Sequence, residues 1–223
     1  MMIVINLKAY EEVIGKKGLL LLEAAEKIYE EYNIKIILAP QPTDIFLLAQ
    51  NARNVKIFAQ HIDPILPGAH TGHILAKAVK EAGAHGTIIN HSEKQLKISD
   101  IEKIINIGKE INLEILACAN NPIVGAAISK FDPEYIAIEP PELIGTGISL
   151  AKIKPEIITK SVEIIKSTNS RPKILIGAGI SDKEDVEKSI RYGAEGVLLS
   201  SSVVKAKDFY EKLKNLAEGF KLY

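Results

Sequence analysis

Short apolar, β-branched runs alternate with longer segments of helical period along this chain, and that alternation constrains the fold more than any other feature. The strand candidates are residues 3–5, 34–38, 55–59, 86–89, 113–117, 135–138, 173–176 and 196–199. Helical stretches fall near residues 17–32, 43–51, 71–82, 100–111, 122–130, 155–167, 182–192 and 204–220. Several carry start signals: Ser99 ahead of Asp100, Ser181 ahead of Asp182 with Glu184 at the capping-box position, and Pro122 and Pro155 in first turns. Gly83 and Gly193 suit C-terminal caps. A strand that always returns through a helix can pair only in parallel, and eight such units favour closure into a barrel. The expected fold is therefore α/β: a single compact (β/α)8 barrel with short loops and short helices, one domain over residues 1–223. The competing arrangement is an open doubly wound sheet, but the first strand lacks the Gly-x-Gly-x-x-Gly turn expected there.

Composition narrows the function classes. At 223 residues and 47% hydrophobic, the chain can bury one substantial core. Lysine plus arginine and aspartate plus glutamate both total 28, so there is no basic footprint for nucleic acid or for an acidic membrane surface. A small bound ligand is the better expectation. The lone Cys118 cannot form an internal disulfide, the start carries no signal-peptide pattern, and no long apolar run follows, which points to the cytoplasm.

In a barrel of this kind the loops that follow the strands build the active face. Strand six delivers Glu139 to that face, where Pro140 and Pro141 forbid further ladder pairing. The prolines and Gly145-Thr146-Gly147 bracket residues 142–144 as a candidate lid over a candidate base. Strand one ends in Asn6-Leu7-Lys8, which places an amide and an ammonium on one face if the chain stays extended. Strand four ends in Asn90-His91-Ser92-Glu93, and a helix beginning there would favour a neutral imidazole. Strands seven and eight end in Gly177-Ala178-Gly179-Ile180-Ser181 and Ser200-Ser201-Ser202, small residues that let backbone N–H groups approach an anion. Each feature alone has a plain alternative: a solvated lysine, a capped histidine, tight-turn glycines. Their convergence on one face favours a phosphate monoester ligand with acid–base chemistry beside it. His70 and His73 are three apart but have no further ligand cluster, and Cys118 reads as a small buried hydrophobe. Phe209, Leu213, Leu216 and Phe220 form the apolar stripe of the last helix.

Taken together, these motifs resemble the triosephosphate isomerase family. Asn6-x-Lys8 is similar to its first-strand motif, Asn90-His91-Ser92-Glu93 to its histidine motif, and Ile138-Glu139-Pro140 through Ile144-Gly145-Thr146-Gly147 to its base and lid. Ala59-Gln60 and Gly68-Ala69-His70-Thr71-Gly72 also match, and the resemblance runs in order from Asn6 to Ser202. The short chain and the Glu-Pro-Pro-Glu-Leu form of the lid resemble the archaeal-type branch. The resemblance implies the TIM barrel and interconversion of dihydroxyacetone phosphate and glyceraldehyde 3-phosphate, a step of glycolysis and gluconeogenesis. It implies Glu139 as base, His91 as the neutral proton shuttle, Lys8 as fixed positive charge and Asn6 as a substrate-orienting amide. Ile144, Gly145, Gly179, Ser200 and Ser201 would hold the phosphate, and no metal or organic cofactor is implied. Thr71 would sit on a loop that reaches a neighbouring subunit, giving a homodimer or, for the archaeal-type form, a homotetramer.

Two departures from the common form of the family bear on the site. Glu142 stands where that form has tryptophan, and Ser200-Ser201 stands where it has two glycines, so a positive φ there would cost more. Glu93 is a candidate charge partner for Lys8. Other phosphate-binding barrel enzymes, and a catalytically silent phosphate sensor on the same barrel, share the loops after strands seven and eight but do not predict Asn6, Lys8, His91 and Glu139 together.

Overall fold

The computed structural model describes residues 1–140 and 149–221. Eight parallel strands close into a barrel in chain order: β1 (Met2–Asn6), β2 (Lys35–Ala39), β3 (Lys56–Ala59), β4 (Gly86–Ile89), β5 (Glu114–Ala119), β6 (Tyr135–Ile138), β7 (Lys173–Ile176) and β8 (Gly196–Leu199). The closing pair sets Ile3, Val4 and Ile5 against Val197, Leu198 and Leu199, which rules out the open sheet. The helices are α1 (Lys16–Tyr32), α2 (Ile45–Asn51), α3 (Ala76–Glu81), α4 (Ile98–Ile111), α5 (Pro122–Ser129), α6 (Leu150–Ile153), α7 (Pro155–Thr168), α8 (Lys183–Arg191), α9 (Ser201–Val204) and α10 (Phe209–Glu218).

Strand periodicity of two sorts the core into two shells. Met2 and Val4, Ile37 and Ala39, Phe58, Ile88, Leu116 and Cys118, Tyr135 and Ala137, Leu175 and Leu198 form one buried cluster, the barrel interior. The alternate residues, such as Ile3 and Ile5, Ile36 and Leu38, Ile174 and Ile176, join the helix faces in the larger cluster. Isoleucine and valine dominate because β-branched side chains fill a pleated surface buried on both sides. Interior space is shared between large and small residues: a Cβ on Gly86 would come within 2.5 Å of the Phe58 ring, so the phenyl fills the volume that the glycine leaves.

Several local expectations shift. Ser99 lies inside α4, whose N-cap is Lys97. At α8 the cap is Asp182, one residue later than expected, and the reciprocal partner is Asp185 in place of Glu184. A carboxylate at that position outcompetes the neighbouring serine for the free N–H groups of the first turn. The final helical stretch, expected over residues 204–220, begins only at α10: α9 ends at Val204, and Asp208 starts a new helix by accepting the Glu211 N–H at 3.0 Å. Leu213 and Leu216 are fully buried and Phe220 nearly so, as the apolar stripe predicts, and α10 lies against α1. Gly83 and Gly193 take φ of +94° and +98° after α3 and α8, the left-handed conformation that suits glycine.

Candidate active site

Running the inward parity of the strands past their last paired residues gives the floor of a cleft. Val4 leads to Asn6, Ala137 to Glu139, Leu175 to Gly177 and Leu198 to Ser200. Asn6, Lys8, Tyr10, His91, Glu139, Gly177, Gly179 to Ser181 and Ser200 to Ser202 all line this cleft. The ends of β1, β4, β6, β7 and β8 are thus brought together. Ile144 and Gly145 lie outside the described residues, as does the segment read as a lid.

Lys8 reaches the cleft by a turn, not by the shared pleat that its spacing from Asn6 suggests. Pairing with β2 ends at Asn6, and Lys8 adopts φ +48°, a left-handed conformation that costs a non-glycine residue on the order of 1–3 kcal/mol. Side chains hold it there. The Lys8 N–H donates to Asn6 Oδ1 at 3.0 Å, and its carbonyl accepts from Gln41 Nε2 at 2.6 Å and Gln60 Nε2 at 2.9 Å. Gln60 Nε2 also donates to the Ala39 carbonyl at 2.9 Å, which ties the turn to β2. Lys8 Nζ then meets Glu93 Oε1 at 2.8 Å, the charge partner that the sequence suggested.

His91 is buried, and no helix starts at it: residues 92–97 are turn and loop, and α4 begins only at Ile98. Its proton affinity is lowered by burial first and by the Lys8 ammonium second, with Glu93 opposing both. The expected helix-dipole effect is therefore replaced by desolvation and a neighbouring cation. The Glu93 N–H donates to His91 Nδ1 at 3.2 Å. Nδ1 must then carry the lone pair, so the proton of the neutral ring is assigned to Nε2, which is 3.7 Å from Glu139 Oε2.

Glu139 is buried at the end of β6, and its Oε2 has no hydrogen-bond partner among the described residues. Burial pushes its pKa up to about 7, against the lowering effects of the adjacent Cys118 thiol and of Lys8. Such a carboxyl shares its proton evenly near neutral pH, which suits a group that must take and return one. The Cys118 thiol is itself pushed well up by burial and by Glu139, so it stays protonated, in keeping with a small buried side chain. Gly177 makes room for the carboxylate: a Cβ there would lie 2.3 Å from Glu139 Cγ and 2.7 Å from Oε1.

The other end of the cleft is small and polar. Gly179 takes φ +70°, and Ser200 has a buried hydroxyl with no partner among the described residues. An unpaired buried hydroxyl facing a cleft suits a ligand oxygen. Ser200 has φ −148° and ψ −94°, and Ser201 opens α9, so neither serine takes the positive φ that would favour glycine. Ser202 Oγ donates to the Ile180 carbonyl at 2.9 Å and joins the loops after β7 and β8. Tyr10 closes one side, with Lys205 Nζ 4.8 Å above its ring. Tyr10, Gln41 and the steric role of Gly177 escaped sequence reasoning, since each acts through a contact across loops that no local spacing records.

A model of the triosephosphate isomerase family matches residues 1–216. The chain is 50% identical over 216 residues to triosephosphate isomerase of Methanocaldococcus jannaschii, covering 97% of this chain and 98% of that protein. It is 45% identical to that of Methanothermus fervidus, with 96% of each covered, and 43% identical to that of Caldivirga maquilingensis, with 97% and 96% covered.

The chain belongs to the triosephosphate isomerase family. These relatives are archaeal, in keeping with the archaeal-type resemblance of the lid sequence. The triosephosphate isomerase match spans every strand of the barrel and every cleft residue from Asn6 to Ser202.

Proposed function

We propose that this single-domain barrel interconverts dihydroxyacetone phosphate and D-glyceraldehyde 3-phosphate in glycolysis and gluconeogenesis, with Glu139 as the base. The observation that carries this reading is a buried carboxylate with an unpaired oxygen and a pKa near 7, placed 3.7 Å from a neutral imidazole. Glu139 takes a proton from the hydroxyl-bearing carbon next to the carbonyl. The electron pair left behind forms the carbon–carbon double bond of an enediolate, and the carbonyl oxygen becomes the oxyanion. His91 Nε2–H donates to that oxygen and carries the hydroxyl proton between the two oxygens. Glu139 then returns its proton to the neighbouring carbon, which completes the aldehyde without net loss of atoms or charge.

Lys8 supplies fixed positive charge to the oxyanion, and Asn6 orients the substrate oxygens. Gly179, Ser200 and Ser201, together with Ile144 and Gly145, hold the phosphate. The loop at residues 63–74 supports assembly: its base is clipped by Asp63 N–H to the Ile74 carbonyl at 2.9 Å and Ile74 N–H to Asp63 Oδ2 at 2.6 Å. Its tip, Leu66 and Gly68 to Gly72 with Thr71 between, is exposed, as expected of a loop that docks on a second copy in a dimer or tetramer. Among the described residues no helix is long and apolar enough to cross a membrane. The test is a coupled assay of the purified chain with each triose phosphate. Fast turnover in both directions is expected. A folded, assembled chain that binds phosphate without turnover would make it a sensor and overturn the reading.

A further inference from the structure

Behind the cleft lies a charge that the reaction does not use. Asp185 is fully buried in the first turn of α8, and its Oδ2 accepts the Ser181 N–H and the Ser181 hydroxyl, each at 2.9 Å. It also accepts the Asp182 N–H at 3.3 Å. One carboxylate oxygen therefore shapes the end of the turn that presents Gly179, Ile180 and Ser181 to the cleft. The other oxygen, Oδ1, has no directed hydrogen bond among the described residues, and the Lys152 ammonium from α6 lies 3.0 Å away as its charge partner. Ser149 faces the same carboxylate, and the Leu150 N–H donates to the Ala178 carbonyl at 3.2 Å, so α6 is tied to this turn at successive residues.

A buried anion directly behind a loop that takes a phosphate dianion is a liability, because little water screens it. Asp182 and Glu184, the other acids near Lys152 among the described residues, have side chains 41% and 67% exposed, so solvent weakens their field. Asp185 is the one whose charge the cleft would feel. Lys152 is only one-third exposed and is held in contact with Asp185 and Asp182, so the cancellation is fixed in place.

We infer that Lys152 and Asp185 are a positioning pair for phosphate binding: Asp185 sets the backbone of the turn after β7, and Lys152 neutralises it so that the turn accepts a dianion. This rests on the reading that the turn holds the substrate phosphate, and it adds two residues that touch no substrate.

The test measures inorganic phosphate as a competitive inhibitor, together with KM and kcat, for the wild-type enzyme, Lys152→Gln, Asp185→Asn and the double variant. Lys152→Gln is expected to raise both the phosphate inhibition constant and KM about tenfold, the order expected for one uncompensated charge at protein-like dielectric, with kcat changed less than about threefold. The amide introduced by Asp185→Asn keeps an oxygen for the Ser181 N–H while removing the charge, so the double variant should recover most of the lost phosphate affinity. A Lys152→Gln variant with unchanged phosphate affinity, or a double variant no better than the single one, would overturn the pair while wild-type inhibition by phosphate leaves the site reading intact. Wild-type enzyme that turns over substrate but is indifferent to phosphate would overturn both.

Discussion

At Glu139, activity and stability pull in opposite directions. Its pKa is raised from the usual 4.5 to about 7, so the folded protein holds this proton more tightly than the unfolded chain does. The stability gained from that proton is fully present below pH 4.5 and is lost as pH rises through 7, a difference of about 3 kcal/mol. Glu139→Gln removes the buried charge. Its thermal midpoint relative to wild type should therefore climb between pH 5 and pH 8, and a constant difference across that range would contradict the burial argument. Wild-type kcat/KM should show an acidic limb near pH 7, because only the ionised base accepts a proton. Gly177→Ala gives a steric test of the same carboxylate. The added methyl would displace Glu139, so kcat should fall about a hundredfold or more, and the melting midpoint should fall by the amount that overpacking of a buried site costs, about 1–3 kcal/mol. Normal turnover in that variant would show that the carboxylate has room to spare.

Among the elements, strand ends were easier to read from sequence than turns. Short apolar, β-branched runs marked all eight strands to within a few residues, and Glu139 followed from where β6 must stop at Pro140. The turn at Lys8 could not be read in this way: its φ of +48° is imposed by Gln41 and Gln60 from the ends of β2 and β3, and no local spacing encodes those contacts. The same holds for His91, whose neutrality comes from burial and Lys8 and not from the helix that its position suggested. Gln60→Ala should release the Lys8 turn and lower kcat/KM at least tenfold without dissociating the barrel, as steady-state kinetics and circular dichroism would show. Helix caps differed from their sequence signals by one or two positions, as with Asp182 over Ser181 and Lys97 over Ser99. The Asp208 cap of α10 was hidden inside a continuous helical pattern, and Asp208→Ala should cost about 1 kcal/mol in thermal unfolding.

Across the whole molecule, the barrel holds groups from five strand ends in one cleft, and the exposed 66–72 loop carries the proposed contact between subunits. Thr71→Arg should weaken assembly and activity together, read by sedimentation and by turnover; an undisturbed, fully active oligomer would contradict the docking of that loop. The assignment of Glu139 as the base is tested at the reacting carbon itself by hydrogen exchange from deuterated water into dihydroxyacetone phosphate, with wild type and Glu139→Gln compared. Wild type should incorporate deuterium at the hydroxyl-bearing carbon next to the carbonyl. The variant should lose that exchange by several orders of magnitude while still being inhibited by phosphate. Undiminished exchange in Glu139→Gln, or none in an assembled wild-type enzyme, would contradict that assignment.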